Sequence, residues 1–498
     1  MSSTEEGGGA VGASGRAVST DQTITTTNNN NPLETIIPIL DTDFTRSNKE
    51  LRNLRSLDEA FEADQLDPKA KSLIQRVPST LDRHEDFRKY FKPKVISIGP
   101  LYHDDPTLHD SEKLKLKLAA HFVKNIGVDK DILYNNMKTE MGGLKKCYDP
   151  KELEKYSNDN EKLAWMFFVD GCAILQAVYI RYGQDYDRKS NELFIKNDLL
   201  TFVYSDLFLL ENQLPFRVLE LLTNSGDGKK FMDSIKRFID DTVVNPAEIK
   251  EPQSHQRDRF RSRKWWKLQN PIHLLNLLRV RLLFNKEKIR NTMEELSAHA
   301  GSIDSKQTRT KWCHSHTIGN VKELKKAGIW LKASETSCLT DVRFKRIFFV
   351  GKLCLPPLTV DDSTMNLIAY EMCPDFKNDF TVTSYMCFLD LLIDEGEDVK
   401  DLRDAGILYN GLGSDEEVAK LFNKMNTDLV PSPMIYGVKL KIHNHCKKMW
   451  IKPAAQGYHT YFRSPWTFFG ICGCHYSTFA WCFADLLYHT STKVSVVY

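Results

Sequence analysis

The chain has 498 residues, 41% of them hydrophobic, a net charge of +2, a pI near 7.9 and 11 cysteines. This length and apolar content can bury one large core or two ordinary ones, and the near-neutral balance excludes a global electrostatic attraction to nucleic acid or acidic substrates. The cysteines follow no framework spacing and include no C-x-x-C, and the polar start MSSTEEGGG does not read as a secretory signal. Reduced thiols in a cytosolic body are therefore expected.

Residues 1 to about 31 are Gly, Ser, Thr and Asn with few large apolar side chains. Such a segment cannot bury enough surface to offset its ordering entropy, and a disordered, low-complexity tail is expected over residues 1–70. Gly7, Gly9 and Gly12 satisfy G-x-G-x-x-G, but no strand precedes and no helix follows, so the dinucleotide reading is discarded. A short amphipathic helix is expected around Leu51–Ala63. Arg76-Val77-Pro78 then opens the compact body.

Val95-Ile96-Ser97-Ile98, closed by Gly99-Pro100, predicts a strand or a buried extended segment entering a turn. Leu114, Leu118 and Phe122 give Lys113–Val123 helical periodicity. Glu161–Tyr182 is a longer helix with Leu163, Phe167, Ile174 and Val178 inward. Asp170 and Gly171 in its middle are poor helix-interior residues and point to a kink or a close helix contact.

Asn197–Leu222 is the stretch around which the core is expected to form. Leu200, Val203, Leu207, Leu210 and Leu214 recur at helical spacing, while Phe202, Phe208 and Leu209 make the segment apolar nearly all round. Pro215 should end this helix near Gln213 and Leu214. Just before it stand Glu211, Asn212 and Gln213. Burying them unpaired would cost roughly 1–3 kcal/mol for each neutral group and more for the carboxylate. They must face water, bond to nearby carbonyls or anchor a neighbouring segment. A structural hydrogen-bond network is the favoured reading, with a partner surface or chemistry as alternatives. Asp170 and Asp206 are grouped with them.

His255–Lys267 (HQRDRFRSRKWWK) interleaves Arg257, Arg259, Arg261, Arg263, Lys264 and Lys267 with aromatic residues. It reads as a solvated linker first, and otherwise as an anionic-lipid or nucleic-acid contact. Ile272–Phe284 is a further amphipathic helix. Ile347–Val350 and Leu353–Leu355 around Gly351 look like strands. Ser414-Asp415-Glu416-Glu417 is a capping box heading the helix Val418–Met425. Val438, Leu440 and Ile442 alternate with polar residues and predict a half-buried strand. Cys313-His314-Ser315-His316 and His443-Asn444-His445-Cys446 offer soft metal ligands, but at spacings unlike those of known zinc sites, so no metal is expected. Nucleophile-elbow, P-loop, zincin and EF-hand patterns are all missing.

Ser464–Ala484 holds no Asp, Glu, Lys or Arg and is about long enough to cross a ~30 Å hydrocarbon core as a helix. Pro465, Trp466, Phe468, Phe469, Phe479, Trp481 and Phe483 form its apolar and aromatic content. The alternative is a buried helix of the body. Upstream lysines would leave the body on the cytoplasmic side.

Several phrases in this order resemble one plant family: Arg76-Val77-Pro78, VISIGPLYH (Val95–His103), Asp170-Gly171-Cys172, DLFLLENQLPF (Asp206–Phe216), HLLNLLR (His273–Arg279), ELKKAGI (Glu323–Ile329), NLIAYE (Asn366–Glu371) and the Thr383–Phe422 region. The family is the plant domain-of-unknown-function 247 proteins, also filed as uncharacterised protein family 0481. The resemblance implies a plant-specific, mostly helical protein with a C-terminal membrane segment and no established catalytic residues. Some grass members look like pollen-side determinants of self-incompatibility.

The expected architecture is mainly α: a helical body over residues 71–460 with a few short β-strands, and a C-terminal membrane-associated helix over 464–488. The expected function is a membrane-associated recognition protein without catalysis, metal, cofactor or small-molecule substrate. Its expected partners are a membrane and another protein, nucleic acid being disfavoured. The rivals are an enzyme built on Asp170 and Glu211-Asn212-Gln213, and an RNA or anionic-lipid binder using residues 255–267.

Overall fold

The computed structural model describes residues 47–63, 73–186, 195–243, 270–284, 318–347, 350–376, 379–425, 429 and 435–447. The tail before residue 47, the basic run 255–267, Cys313–His316 and the C-terminal stretch 464–488 lie outside them. The chain divides into two units, residues 1–68 and 69–498. In the first, helix α1 (Asn48–Ala63) occupies the expected amphipathic stretch, with Leu51, Leu54, Leu57 and Phe61 exposed.

The second unit is mainly helical. Helix α2 (His109–Ile126) buries Leu118, Phe122 and Ile126 at a spacing of four, and ends at Gly127, whose φ of 71° is the left-handed helix stop that glycine adopts without penalty. After α3 (Lys130–Thr139) comes the central element, α4 (Asn160–Tyr182), capped by the Asp159 carboxylate accepting from the Lys162 N–H. From Met166 to Ile180 every residue of α4 is buried. Among the described residues it is the one helix long and apolar enough to cross a membrane, yet 94% of that apolar stretch lies inside the fold. It is a core helix.

Helices α5 (Asn197–Asp206), α6 (Phe216–Thr223) and α7 (Gly228–Thr242) follow, and α2, α6 and α7 pack directly on α4. The α6 contact explains Gly171. A Cβ there would lie 2.6 Å from Leu222 Cδ1 and 2.8 Å from Val218 Cγ1, so α4 runs through Asp170-Gly171 unbroken and α6 approaches as closely as glycine allows. Of the two readings of that pair, the close helix contact is the one found.

Beyond α8 (Leu274–Leu283) and α9 (Val321–Lys326) lies a three-stranded sheet of order β1-β3-β2, with β1 (Ile329–Ala333) parallel and β2 (Arg343–Ile347) antiparallel to β3 (Val350–Leu355). A second pair joins β4 (Leu358–Val360) to β5 (Leu408–Asn410) in parallel. Around them stand α10 (Asp362–Glu371), α11 (Thr381–Asp390), α12 (Gly396–Asp404), α13 (Asp415–Met425) and α14 (Tyr436–Cys446). The Ser414 hydroxyl accepts from the Glu417 N–H at 3.1 Å, placing the α13 cap where the capping motif predicts it.

Two expectations are corrected. The helix begun at Asn197 ends at Asp206, not near Gln213, and residues 207–215 run as turns and extended chain. Its apolar period continues past the end, but Asp206, Asn212 and Gln213 bond to backbone and compete with helix continuation. The alternating stretch around Val438 is helix α14, not a strand. Ile435, Ile442 and His445 are buried and Val438 half-buried, a spacing of three and four that outweighs the alternation.

Candidate functional site

The residues singled out in the sequence do converge. Asp206, the last residue of α5, is 1% exposed, and its carboxylate accepts the backbone N–H of Lys94 (3.0 Å), Val95 (2.7 Å) and Ile96 (3.0 Å). Six residues beyond Asp206, the Asn212 side-chain oxygen takes the Ile98 N–H at 2.7 Å, and its amide donates to the carbonyls of Ile96 and Asp206. Asp170 on α4 takes the Gly99 N–H at 2.8 Å. Thus Val95–Ile98, the expected buried extended segment, satisfies these N–H groups with side chains, the accounting any buried backbone must meet. Gly99 turns this segment at a φ of 73°, where a Cβ would lie 2.6 Å from the Gln213 carbonyl oxygen.

Gln213 ties the turn after α5 to α8. Its amide donates to the carbonyls of Leu207 and Leu209, and its side-chain oxygen accepts the Leu275 N–H at 3.2 Å. Glu211 accepts the Val77 N–H at 2.8 Å and lies 3.5 Å from Arg76. Burial pushes the Glu211 and Asp206 carboxyls up, and the N–H groups they accept oppose that rise. Asn366 on α10, not singled out in the sequence, completes the set. It accepts the Leu210 N–H and donates to the Tyr90 and Asp362 carbonyls. An amide in the apolar run MNLIAYE was the signal available for it.

Charge enters the core at Lys115, which is fully buried on α2. Its ammonium lies 2.7 Å from Asp170 and 2.6 Å from Glu112, and donates to the Ser97 carbonyl at 2.9 Å. Burial pulls the Lys115 pKa down, but the two carboxylates outweigh it and the net shift is upward. Glu112 is pushed up by burial but drawn further down, to about 2, by His103 and Lys115. A second buried pair joins Arg279 on α8 to Glu371 on α10 at 2.7 Å, with Glu371 also accepting the Val382 and Thr383 N–H groups. These groups lock α2, α4, α5, α8 and α10 together. Each of the carboxylates and amides named here is engaged with backbone or a partner ion.

Open space lies elsewhere. A groove of about 500 Å³ is lined by Asn320, Glu323, Asp390, Leu391, Asp394 and Asn423, among others. Asp394 is held by the Asn320 amide at 2.7 Å, and its carbonyl by the Asn423 amide at 2.9 Å. Asp390 closes α11, is 6% exposed, and among the described residues has no hydrogen-bond donor or ion-pair partner. Burial and Asp394 push its carboxyl up to about 6, against the pull of Lys439. The sequence offered one signal for it, a carboxylate between Leu389 and Leu391.

Other candidates fall outside the described residues: the anion-binding series from Arg257 to Lys267, the membrane residues from Pro465 to Phe483, and Cys313–His316. His443–Cys446 forms the last turn of α14, where His445 is buried with Nε2 3.2 Å from the Ala327 carbonyl. Among the described residues no three His, Cys, Asp or Glu side chains converge to hold a metal ion.

The chain is 30% identical over 408 residues to the UPF0481 protein At3g47200 of Arabidopsis thaliana, covering 77% of this chain and 79% of the relative. It is 24% identical over 449 residues to the putative UPF0481 protein At3g02645 of the same plant, covering 75% and 81%. No solved structure matches it. Residues 74–475, which take in the clamp around Asp206 and the groove beside Asp390, match the DUF247 family, and the chain therefore belongs to this family of plant proteins of unknown function.

Proposed function

We propose that this chain is a recognition protein without catalysis, held beside a membrane by its C-terminal segment, whose helical body meets another protein. The observation that carries the reading is the engagement of its interior polar groups. Asp170, Asp206, Glu211, Asn212 and Gln213 bond to backbone or to a buried lysine and line neither the groove beside Asp390 nor the small cavity bounded by Leu278 and Thr364. The enzyme alternative built on those residues loses its acid and base. The membrane part rests on the uncharged run Ser464–Ala484 and the lysines upstream of it. Pollen-side self-incompatibility is the specific form that the family resemblance points to.

Fractionation of the full chain and of a chain ending at Ser464 tests this reading. The full chain should sediment with membranes through a high-salt wash, and the shortened one should not. Recovery of the intact full chain in the soluble fraction would overturn the tether.

A further inference from the structure

Seven carboxylates are buried among the described residues: Asp170, Asp206, Glu211, Asp341, Glu371, Asp390 and Asp398. Six accept bonds. Asp398, for example, takes the N–H groups of Lys322, Asp394 and Glu395, and Asp341 takes the hydroxyls of Ser334 and Thr336. Asp390 accepts none, and it is the one that lines open space. A carboxylate this covered, its oxygens reaching only the groove and meeting no donor among the described residues, is costly to keep, so its place at the wall of a groove marks a contact completed by something else.

We propose that the groove between α9, the end of α11 and α13 binds a cationic nitrogen group, an alkylammonium or guanidinium, with Asp390 as its buried contact and Asp394 and Glu323 flanking it. None of the three carboxylates stands in an ion pair among the described residues, so the groove is negative and its charge unspent. Asp394 is oriented by Asn320 and Asn423, which fixes one wall in advance of binding. A metal ion is the poorer occupant, since among the described residues no three ligands converge, and the space, about 500 Å³, suits a chain carrying an amine better than a bare ion. Asp390 itself faces Asp394, the Cys387 thiol one turn back on α11, and Lys439 on α14. Lys439 is too distant for an ion pair and has its own pKa lowered by burial. The site stands whether or not the chain is tethered to a membrane.

The same chemistry could come from a free polyamine or from a lysine or arginine side chain of a partner. Calorimetric titration of the full chain with spermidine, and separately with a short capped peptide containing one arginine and one lysine, tells these apart. At pH 7.5 at least one probe should bind. Spermidine alone indicates a small-molecule site, the peptide alone a partner's side chain, and both the shared group. Affinity should fall at least tenfold in Asp390→Asn, fall several-fold in Glu323→Gln, and weaken at pH 5.5 as Asp390 takes up a proton. Asp390→Asn should also melt at a higher temperature than the parent chain at pH 7.5. Glu323 is exposed, so its variant serves if Asp390→Asn does not fold. Failure of both probes to bind, or equal affinity in the parent and the variants, would overturn the proposal.

Discussion

Asp206 and Asp390 each close a helix inside the body, α5 and α11, and their surroundings are opposite. Asp206 holds three backbone N–H groups from a segment more than a hundred residues away in the chain, while Asp390 holds no donor among the described residues and borders a groove. Burial pushes both carboxyls up, but only at Asp206 do donors offset it. The difference teaches how to read a buried charge. Saturated with donors, it is a fastening; bare and beside open space, it is a candidate contact.

The largest expected effect separates the two directly. Asp206→Ala leaves the N–H groups of Lys94, Val95 and Ile96, the last fully buried, without this acceptor and should cost on the order of 3–6 kcal/mol in urea unfolding, whereas Asp390→Asn should raise stability at pH 7.5. Equal losses at both sites would break the comparison. Next, Arg279→Met strands the Glu371 carboxylate and should cost about 3–5 kcal/mol, which would place that pair with Asp206 as a fastening. Gly171→Ala forces a methyl into Val218 and Leu222 and should cost about 1–3 kcal/mol, read from the denaturation midpoint.

Acid provides a further distinction. His273 is buried, accepts the Asn276 N–H at Nδ1, and burial pulls its pKa down to about 3. The unfolded chain protonates this ring first, so its contribution is intact above about pH 6.5 and is lost at about 1.4 kcal/mol per pH unit as the pH falls toward 3. His273→Asn keeps an acceptor for the cap and should flatten the stability profile between pH 6.5 and 5 by about 2 kcal/mol. Asp390 works the other way. Its raised pKa makes its charged form unfavourable at neutral pH, and that cost is relieved as the pH drops through about 6. The smallest effect is Ser414→Ala, about 1 kcal/mol for the lost α13 cap, measured by thermal melting.

Much of the fold was legible. The apolar spacing in Glu161–Tyr182, the run around Leu118 and the capping motif at Ser414 each marked an element that formed, because local period and burial agree there. The polar clamp was legible in part: Glu211, Asn212 and Gln213 stood out as polar groups an apolar run must satisfy. Their distant partners were not, since Val77, Ile98 and Leu275 meet them only through the fold, and the end of α5 at Asp206 goes with bonds to the distant segment Lys94–Ile96. At α14 two periods competed, and the alternation at Val438, Leu440 and Ile442 hid the spacing of Ile435, Val438, Ile442 and His445 that packing selects. Asp390 resembles Asp170 in sequence, a lone carboxylate in an apolar run. What distinguishes them is Lys115 beside one and a groove beside the other.

The account rests on the interior polar set being a clamp and not a reactive site, and amide hydrogen exchange tests that most directly. Val95, Ile96, Ile98 and Gly99 belong to no helix or strand, yet their N–H groups point at Asp206, Asn212 and Asp170. These amides should exchange only through global unfolding, as slowly as those in the middle of α4. Exchange at the rate of an open loop, independent of global stability, would contradict the clamp and return those side chains to the search for chemistry.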